Sequence, residues 1–247
     1  MMNIAILLAG HTNNAMQPRF PDYADLFIAL FAKSPLAADF TFTSFAVVDD
    51  VFPNSIDDYD GYLVTGSAYG VYDDAPFIPK LISLIQDIHA ACMPLAGLCF
   101  GHQIIAHALG GHAQKWDGGW GLGVKSIELA NLPDWIDTPV DSAKLIHVHQ
   151  DQVVRMPAGG QVIARADHCD IAGYVVGDNV FTLQGHPEFD AAYTGALATL
   201  LAERGVDPAV VAAAQGTLDT PHDGDRFGHW ILTFFHRHAA PDKHATF

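Results

Sequence analysis

Short apolar runs alternate with longer stretches of helical periodicity along most of the chain, which predicts strands and helices arranged around a mostly parallel sheet. The first runs, Ile4–Leu8, Thr41–Val48 and Gly61–Thr65, read as strands, with a helix over Asp22–Ala32 between the first two. A long amphipathic helix is expected from Pro76 to Ala91, started by Asp74 and carrying its proline at an early position. Another strand leads to Cys99, and a helix from Phe100 to Leu109 is halted by Gly110-Gly111. Val124–Leu129, Leu145–Val148, Gln161–Ala166, Ala172–Val176 and Val180–Leu183 have the character of further strands, some of them antiparallel. After Glu188 the pattern becomes helical, through Ala191–Glu203, Pro208–Gln215 and Phe227–Arg237. Residues 1–205 therefore read as one domain and 206–247 as a helical extension packed on it, with no internal repeat or low-complexity tract.

Composition narrows the class. A chain of 247 residues that is 50% hydrophobic and 16% charged can bury a large core, which excludes disorder. Its formal net charge of −16, from 12 Lys and Arg against 28 Asp and Glu, argues against a nucleic-acid partner and disfavours multiply charged anionic substrates. The apolar run in Met1–Gly10 lacks a basic leader and is too short to cross a bilayer, and no other run reaches the roughly 18 apolar residues of a membrane helix. No membrane partner is expected, and the expected compartment is cytoplasmic. Three cysteines, at 92, 99 and 169, do not suggest a disulfide framework. Cys92 closes an apolar helix and Cys169 precedes a strand, so both are expected to be buried.

Cys99 differs from the other two. In Pro94-Leu95-Ala96-Gly97-Leu98-Cys99-Phe100-Gly101-His102-Gln103 an apolar strand meets a thiol just before a glycine and a helix, the sequence of a sharp turn that presents a nucleophile. A thiol is activated by a base, because the thiolate is the attacking species. His186 is the candidate, in Phe181-Thr182-Leu183-Gln184-Gly185-His186-Pro187-Glu188-Phe189, another strand ending in a polar cluster. Pro187 fixes the backbone there, so that Glu188 can turn back and hold one tautomer of the imidazole. The plain alternative is a small buried cysteine and an unrelated turn.

Gly97-Leu98-Cys99-Phe100-Gly101-His102-Gln103 and Gln184-Gly185-His186-Pro187-Glu188 resemble the two signature motifs of the class I glutamine amidotransferases. Leu63-Val64-Thr65-Gly66-Ser67 resembles that family's oxyanion strand, and His149-Gln150-Asp151-Gln152-Val153 its His-x-Asp-x-Val segment. The four pieces occur in family order within a stretch from Asn3 to Arg204. The loop Thr65–Asp73 and the form Gln-Gly-His-Pro-Glu-Phe look more like the stand-alone branch, which includes γ-glutamyl peptidases, than like synthase subunits. No nucleotide-binding fingerprint is present, so a synthase partner would be a separate polypeptide.

The resemblance implies a flavodoxin-like α/β fold, an open, mostly parallel sheet with helices on both faces. It implies hydrolysis of a γ-glutamyl amide through a thioester on Cys99, with His186 as base, Glu188 as its orienting group, and no cofactor. The oxyanion donors would be the backbone N–H groups of Gly66 and Phe100. Gln103 would help hold the substrate's amino-acid end, or is a helix-surface glutamine. Trp120-Gly121 resembles a second substrate loop, or is a Gly-rich turn. Ser67, His149 and Asp151 complete the expected substrate side, and the leaving group would lie between Ser67–Asp74 and the C-terminal helices.

Two other readings stay open. His147, His149 and Asp151 have strand spacing that puts all three on one face, which suits a metal-dependent hydrolase. A glutaminase subunit that works only with a synthase partner would carry the same motifs. The C-terminal histidines 222, 229, 236, 238 and 244 are scattered and are assigned no function.

Overall fold

The computed structural model describes residues 1–238. In chain order the elements are β1 (Met2–Leu7), α1 (Tyr23–Phe31), β2 (Phe40–Phe45), β3 (Gly61–Val64), α2 (Phe77–Ala90), β4 (Leu95–Leu98), α3 (Phe100–Ala108), β5 (His112–Lys115) and β6 (Gly121–Leu129). They continue with β7 (Ser142–His149), β8 (Asp151–Arg155), β9 (Gly160–Ala166), β10 (Cys169–Val176), β11 (Val180–Leu183), α4 (Ala191–Glu203), α5 (Pro208–Gln215) and α6 (Gly224–His238).

Among the described residues nine strands form one sheet, in the order β2-β1-β3-β4-β11-β10-β9-β6-β7, while β5 and β8 pair separately. The half from β2 to β11 is parallel at every pairing, and the half from β11 to β7 is antiparallel at every pairing. The expectation of a mostly parallel sheet is thus corrected to a mixed α/β sheet. Its cause is the run of strands from Gly121 to Leu183, which are joined without any intervening helix and so return antiparallel instead of crossing over.

The parallel half is covered on both faces. In β1, Ile4 and Ile6 join a cluster with Phe27 and Phe31 of α1 and Trp230 and Phe234 of α6. Ala5 and Leu7 point the other way, against Phe77, Leu81 and Ile85 of α2 and Phe100 and Ile104 of α3. This is the period-two alternation of a strand buried on both sides. Each large apolar side chain so buried contributes roughly 1.5–3 kcal/mol. Leu122 of β6 packs with Ala198 and Leu201 of α4 and Val211 and Ala214 of α5. Within 206–238, α5 and α6 therefore share cores with the earlier chain, and residues 239–247 lie outside the described part.

Aspartates set several helix starts. Asp22 accepts from the Tyr23 N–H at α1, Asp190 from the Tyr193 N–H at α4, and Asp207 from the Ala209 N–H at α5, where Pro208 follows. Asp74 does not play this part at α2. The chain turns through residues 70–75, where Asp73 accepts from the Gly70 N–H, and the helix begins later, at Phe77, after Pro76. The strand expected over Thr41–Val48 ends at Phe45, because residues 47–49 form a helical turn closed by Asp50 at positive φ.

Helix α3 lies unusually close to the sheet. A Cβ on Gly101 would stand 2.2 Å from the Val64 carbonyl oxygen of β3, a backbone atom that cannot rotate away. Gly101→Ala should lower unfolding stability by about 1–3 kcal/mol, the usual cost of forcing a carbon into packed space. A urea midpoint equal to the parent's would show that α3 can back away from β3.

Candidate active site

Leu98 ends β4 and Phe100 begins α3, which leaves Cys99 alone to make the bend. It does so at φ 52°, ψ −105°, a conformation that costs a non-glycine residue about 1–3 kcal/mol and persists only where its surroundings hold it. One such restraint is the Cys99 N–H, which donates to the Leu183 carbonyl at 2.9 Å. The side chain is almost wholly buried, with Sγ 4.0 Å from the Val148 carbonyl of β7.

The same pairing brings in the histidine. β11 runs parallel to β4 with Thr182 opposite Gly97 and Leu183 opposite Leu98, so the two chain segments leave the sheet side by side. His186 is then fixed from three directions. Its backbone N–H donates to the Ile146 carbonyl of β7 at 2.7 Å. Its Nδ1–H donates to Oε1 of the buried Glu188 at 2.7 Å. The ring of Phe189 stacks on the imidazole, with centroids 4.1 Å apart and planes 5° from parallel. Cys99 adjoins the imidazole closely enough to act on its charge. Burial works against a charged imidazole here, but Glu188 and Cys99 together outweigh it and raise His186 to about 10.

Gly66 lies directly against this pair, since a Cβ placed on it would be 3.0 Å from His186 Cε1 and 3.8 Å from Cys99 Cβ. Phe100 opens α3, where the first N–H groups have no partner within the helix. A cavity of about 360 Å³ adjoins the thiol, lined by Cys99 and His186 and by Ser67, Gln103, Trp120, His149 and Asp151. Two of these polar groups already have scaffold partners. The Ser67 hydroxyl donates to the Ala9 carbonyl at 2.7 Å, and Gln103 Nε2 donates to the Asp151 carbonyl at 2.8 Å and to Gln184 Oε1 at 3.1 Å. Tyr72 lies beside Asp151 near Gly70, and burial raises the Asp151 carboxyl above the ordinary value. Gly121 sits back from the cavity, paired with His149 across β6 and β7.

The structure adds residues to the expected site. Tyr23, Phe189, Lys115 and Arg204 also line the cavity. The signal for Phe189 was available in its place directly after the His-Pro-Glu run. Lys115 and Arg204 come from elements whose approach to the cavity has no local signature.

The ligand set suggested for a metal is changed. His147 and His149 do share a face, but the chain bends at Gln150 and Asp151 starts β8, so the strand period stops short of the carboxylate. The third group beside the two imidazoles is His168, from the turn between β9 and β10. Cys169 is buried as expected, whereas Cys92 is exposed, because it lies beyond the end of α2 at positive φ. His222 accepts from the Gly224 N–H, His229 contacts Ser34 and Asp137, and His236 faces Asp39. The His238 side chain and His244 lie outside the described residues.

Together these features define an α/β protein with a strained cysteine, a buried histidine and a buried carboxylate gathered where its parallel strands end. A sequence profile described as "Glutamine amidotransferase class-I" matches residues 36–211. The chain belongs to the class I glutamine amidotransferase family, whose chemistry is glutaminase-type hydrolysis. Among curated relatives, gamma-glutamyl peptidase 3 of Arabidopsis thaliana is 30% identical over 195 residues, spanning 75% of this chain and 76% of the relative. A putative glutamine amidotransferase of Saccharomyces cerevisiae is 33% identical over 200 residues, spanning 76% and 79%. The crystal structure of a glutamine amidotransferase from Methylobacillus flagellatus shares the fold, with a TM-score of 0.74 at 21% identity over 100% of this chain and 99% of that one. No helix among the described residues is long and apolar enough to cross a membrane.

The raised His186 couples this site to stability. A group whose pKa is higher folded than unfolded contributes fully below its unfolded value, 6.5 for histidine, and loses that contribution as pH climbs toward about 10. Thermal scans between pH 6.5 and 10 should show Tm of the parent falling more steeply than that of Glu188→Gln, which lacks the carboxylate. Parallel slopes would mean that the carboxylate does not hold the imidazole's proton.

Proposed function

We propose that the protein hydrolyses γ-glutamyl amide bonds through a γ-glutamyl thioester on Cys99. The observation that carries this reading is the single cluster of a strained Cys99, the neighbouring His186, and Glu188 behind the imidazole at 2.7 Å. His186 takes the thiol proton and Sγ attacks the amide carbonyl carbon, so that negative charge develops on the carbonyl oxygen. The backbone N–H groups of Gly66 and Phe100 are the donors for that oxygen, each worth on the order of 3 kcal/mol in reactions of this type. His186 then returns the proton to the departing nitrogen as the carbon–nitrogen bond breaks. Water attacks the thioester with His186 as base, and glutamate and the free thiol result.

The cavity suits the rest of the substrate. Lys115 and Arg204 can meet an α-carboxylate and Asp73 and Asp151 an α-ammonium, which matches a zwitterionic glutamyl end. Gln103, His149 and Ser67 also line that pocket. A volume of about 360 Å³ lies near the lower bound for small-molecule sites, commonly about 300–1,000 Å³, and leaves space for a small amine or amino-acid leaving group. The Arabidopsis relative's name as a γ-glutamyl peptidase favours a γ-glutamyl peptide over free glutamine as the substrate.

Exposure to a diazo-ketone glutamine analogue followed by peptide mass spectrometry should find the adduct on Cys99. Cys99→Ala should lower kcat by at least about 10³-fold, as loss of a nucleophile does in triad enzymes. A panel of γ-glutamyl peptides, γ-glutamyl amines and glutamine, given to the purified chain alone, ranks the leaving groups. An adduct on Cys92 or Cys169 in place of Cys99 would overturn the site, and turnover only after adding a synthase would move the chain to the subunit role.

A further inference from the structure

Behind the cavity wall three imidazoles face one another without any carboxylate among them. His147 and His149 stand two apart on β7 and therefore share a face, and His168 reaches them from the turn between β9 and β10. The ring centroids form a near-equilateral triangle with sides of 4.9 to 5.3 Å. One ring nitrogen from each lies within 4.8 Å of the others.

Hydrogen bonding among the rings accounts for only part of their capacity. His149 Nδ1–H donates to the Asp151 carbonyl at 3.0 Å, which leaves Nε2 of the neutral ring as an acceptor. That Nε2 takes a hydrogen bond from His147 Nδ1–H at 3.1 Å. Nε2 of His168 is buried with no protein partner. Orphaned buried nitrogens are rare because each forfeits its hydration without compensation. The cluster is also built with room at its centre. A Cβ on Gly121 would come within 2.4 Å of His168 Nε2 and 2.8 Å of His149 Nε2, so both nitrogens converge on the space that this glycine leaves open. The turn carrying His168 is itself held, since Gln152 Nε2 donates to the His168 carbonyl at 2.7 Å.

We propose that His147, His149 and His168 bind one borderline divalent transition-metal ion, with zinc as the reference case, at a site separate from Cys99 and His186. Imidazole nitrogens suit zinc, cobalt, nickel and copper and do not suit calcium or magnesium. Two nitrogens on a tetrahedral zinc ion with bonds of 2.0–2.1 Å stand about 3.3 Å apart, close to the 3.1 Å already present between His147 Nδ1 and His149 Nε2, so the ion would take the place of the proton between them while His147 carries its proton on Nε2. The His149 hydrogen bond to a carbonyl fixes its ring as such bonds do for metal-bound histidines. The ion's place in the fold gives it a structural consequence. It ties β7 to the β9–β10 turn on either side of Val148, whose carbonyl faces Cys99 Sγ.

The test uses the full chain as Cys99→Ala, so that the active-site thiol is not a competing ligand, after exhaustive dialysis against a chelator. Titration calorimetry with zinc chloride should give one tight site per chain, cobalt(II) should give visible ligand-field bands, and zinc should raise Tm. Adding His168→Ala removes a half-buried turn residue, and its circular dichroism and metal-free Tm establish that the fold survives. Zinc affinity should then fall by at least about 100-fold, the upper end of what even substitutions behind the ligands cost. The zinc effect on Tm should vanish as well. The proposal is overturned by the lack of a stoichiometric site in the Cys99→Ala chain, or by zinc binding that is indifferent to His168→Ala, which would place the ion on other histidines. Because the readouts are binding and stability in a chain without the thiol, neither result bears on the hydrolytic reading.

Discussion

The parallel pairing of β4 with β11 is the constraint on which the site depends. Hydrogen bonds from Leu95 opposite Val180 to Leu98 opposite Leu183 lock two segments that are far apart in sequence into one register. A slip by one residue would turn every side chain to the opposite face and separate Cys99 from His186. The register is protected because both faces of these strands are filled. Ala96, Leu98, Phe181 and Leu183 enter one core, and Leu95 and Val180 the other. Packing energy spread over the two cores is thereby converted into the position of one sulfur and one imidazole.

Holding a charged imidazole in such a place is unfavourable by itself, since removing an ion from water costs several kcal/mol. Glu188 makes it tenable by direct contact, and Cys99 adds to that effect. Phe189 completes the arrangement, because a ring stacked at 4.1 Å excludes water from one face of His186 without competing for its protons. Phe189 in turn packs on Tyr193 near the start of α4, so the helix that follows the motif braces the imidazole. The strained backbone at Cys99 has the same logic. Its cost is local, and it is met by the hydrogen bond to Leu183 and by the near-contact of α3 with β3 at Gly101.

Much of this was legible in the chain, and the limits have identifiable causes. The strands at 61–64, 95–98 and 180–183 are nearly continuous apolar runs, and such runs announce buried parallel strands clearly. Cys99 and the His186-Pro187-Glu188 sequence stood out because their residue types are costly at strand ends unless they have work there. β5 and β8 were missed since they contribute few buried apolar residues, Ala113 in one and Val153 in the other. The parallel character was overestimated because strand runs do not reveal their direction, and only the short links between the later strands point to hairpins. Asp74 was misread as a helix start because an aspartate two residues before a proline has the right chemistry, whereas Asp73 and Gly70 had already committed that segment to a turn. His168 could not be linked to His147 and His149 from the sequence, as a turn residue carries no periodicity.

The antiparallel half of the sheet accounts for what the parallel half cannot supply. β7 is the last strand in the sheet order, well removed from β11 by pairing, yet its Ile146 bridges to His186 just beyond β11. The strands β11, β10, β9, β6 and β7 must therefore curl until the edge strand returns to the chain that left the sheet. Strong twist makes such curling natural for long antiparallel ribbons, and it protects an edge that would otherwise be free to pair with another molecule. The returning strand delivers successive residues to different tasks. Ile146 fixes the backbone of His186, Val148 turns its carbonyl toward Cys99, and His149 forms part of the cavity wall. His147 and His149 occupy the face directed at His168. A purely parallel sheet of the same length would have placed those residues on a distant edge, and the thiol would have faced solvent on the side that β7 now closes.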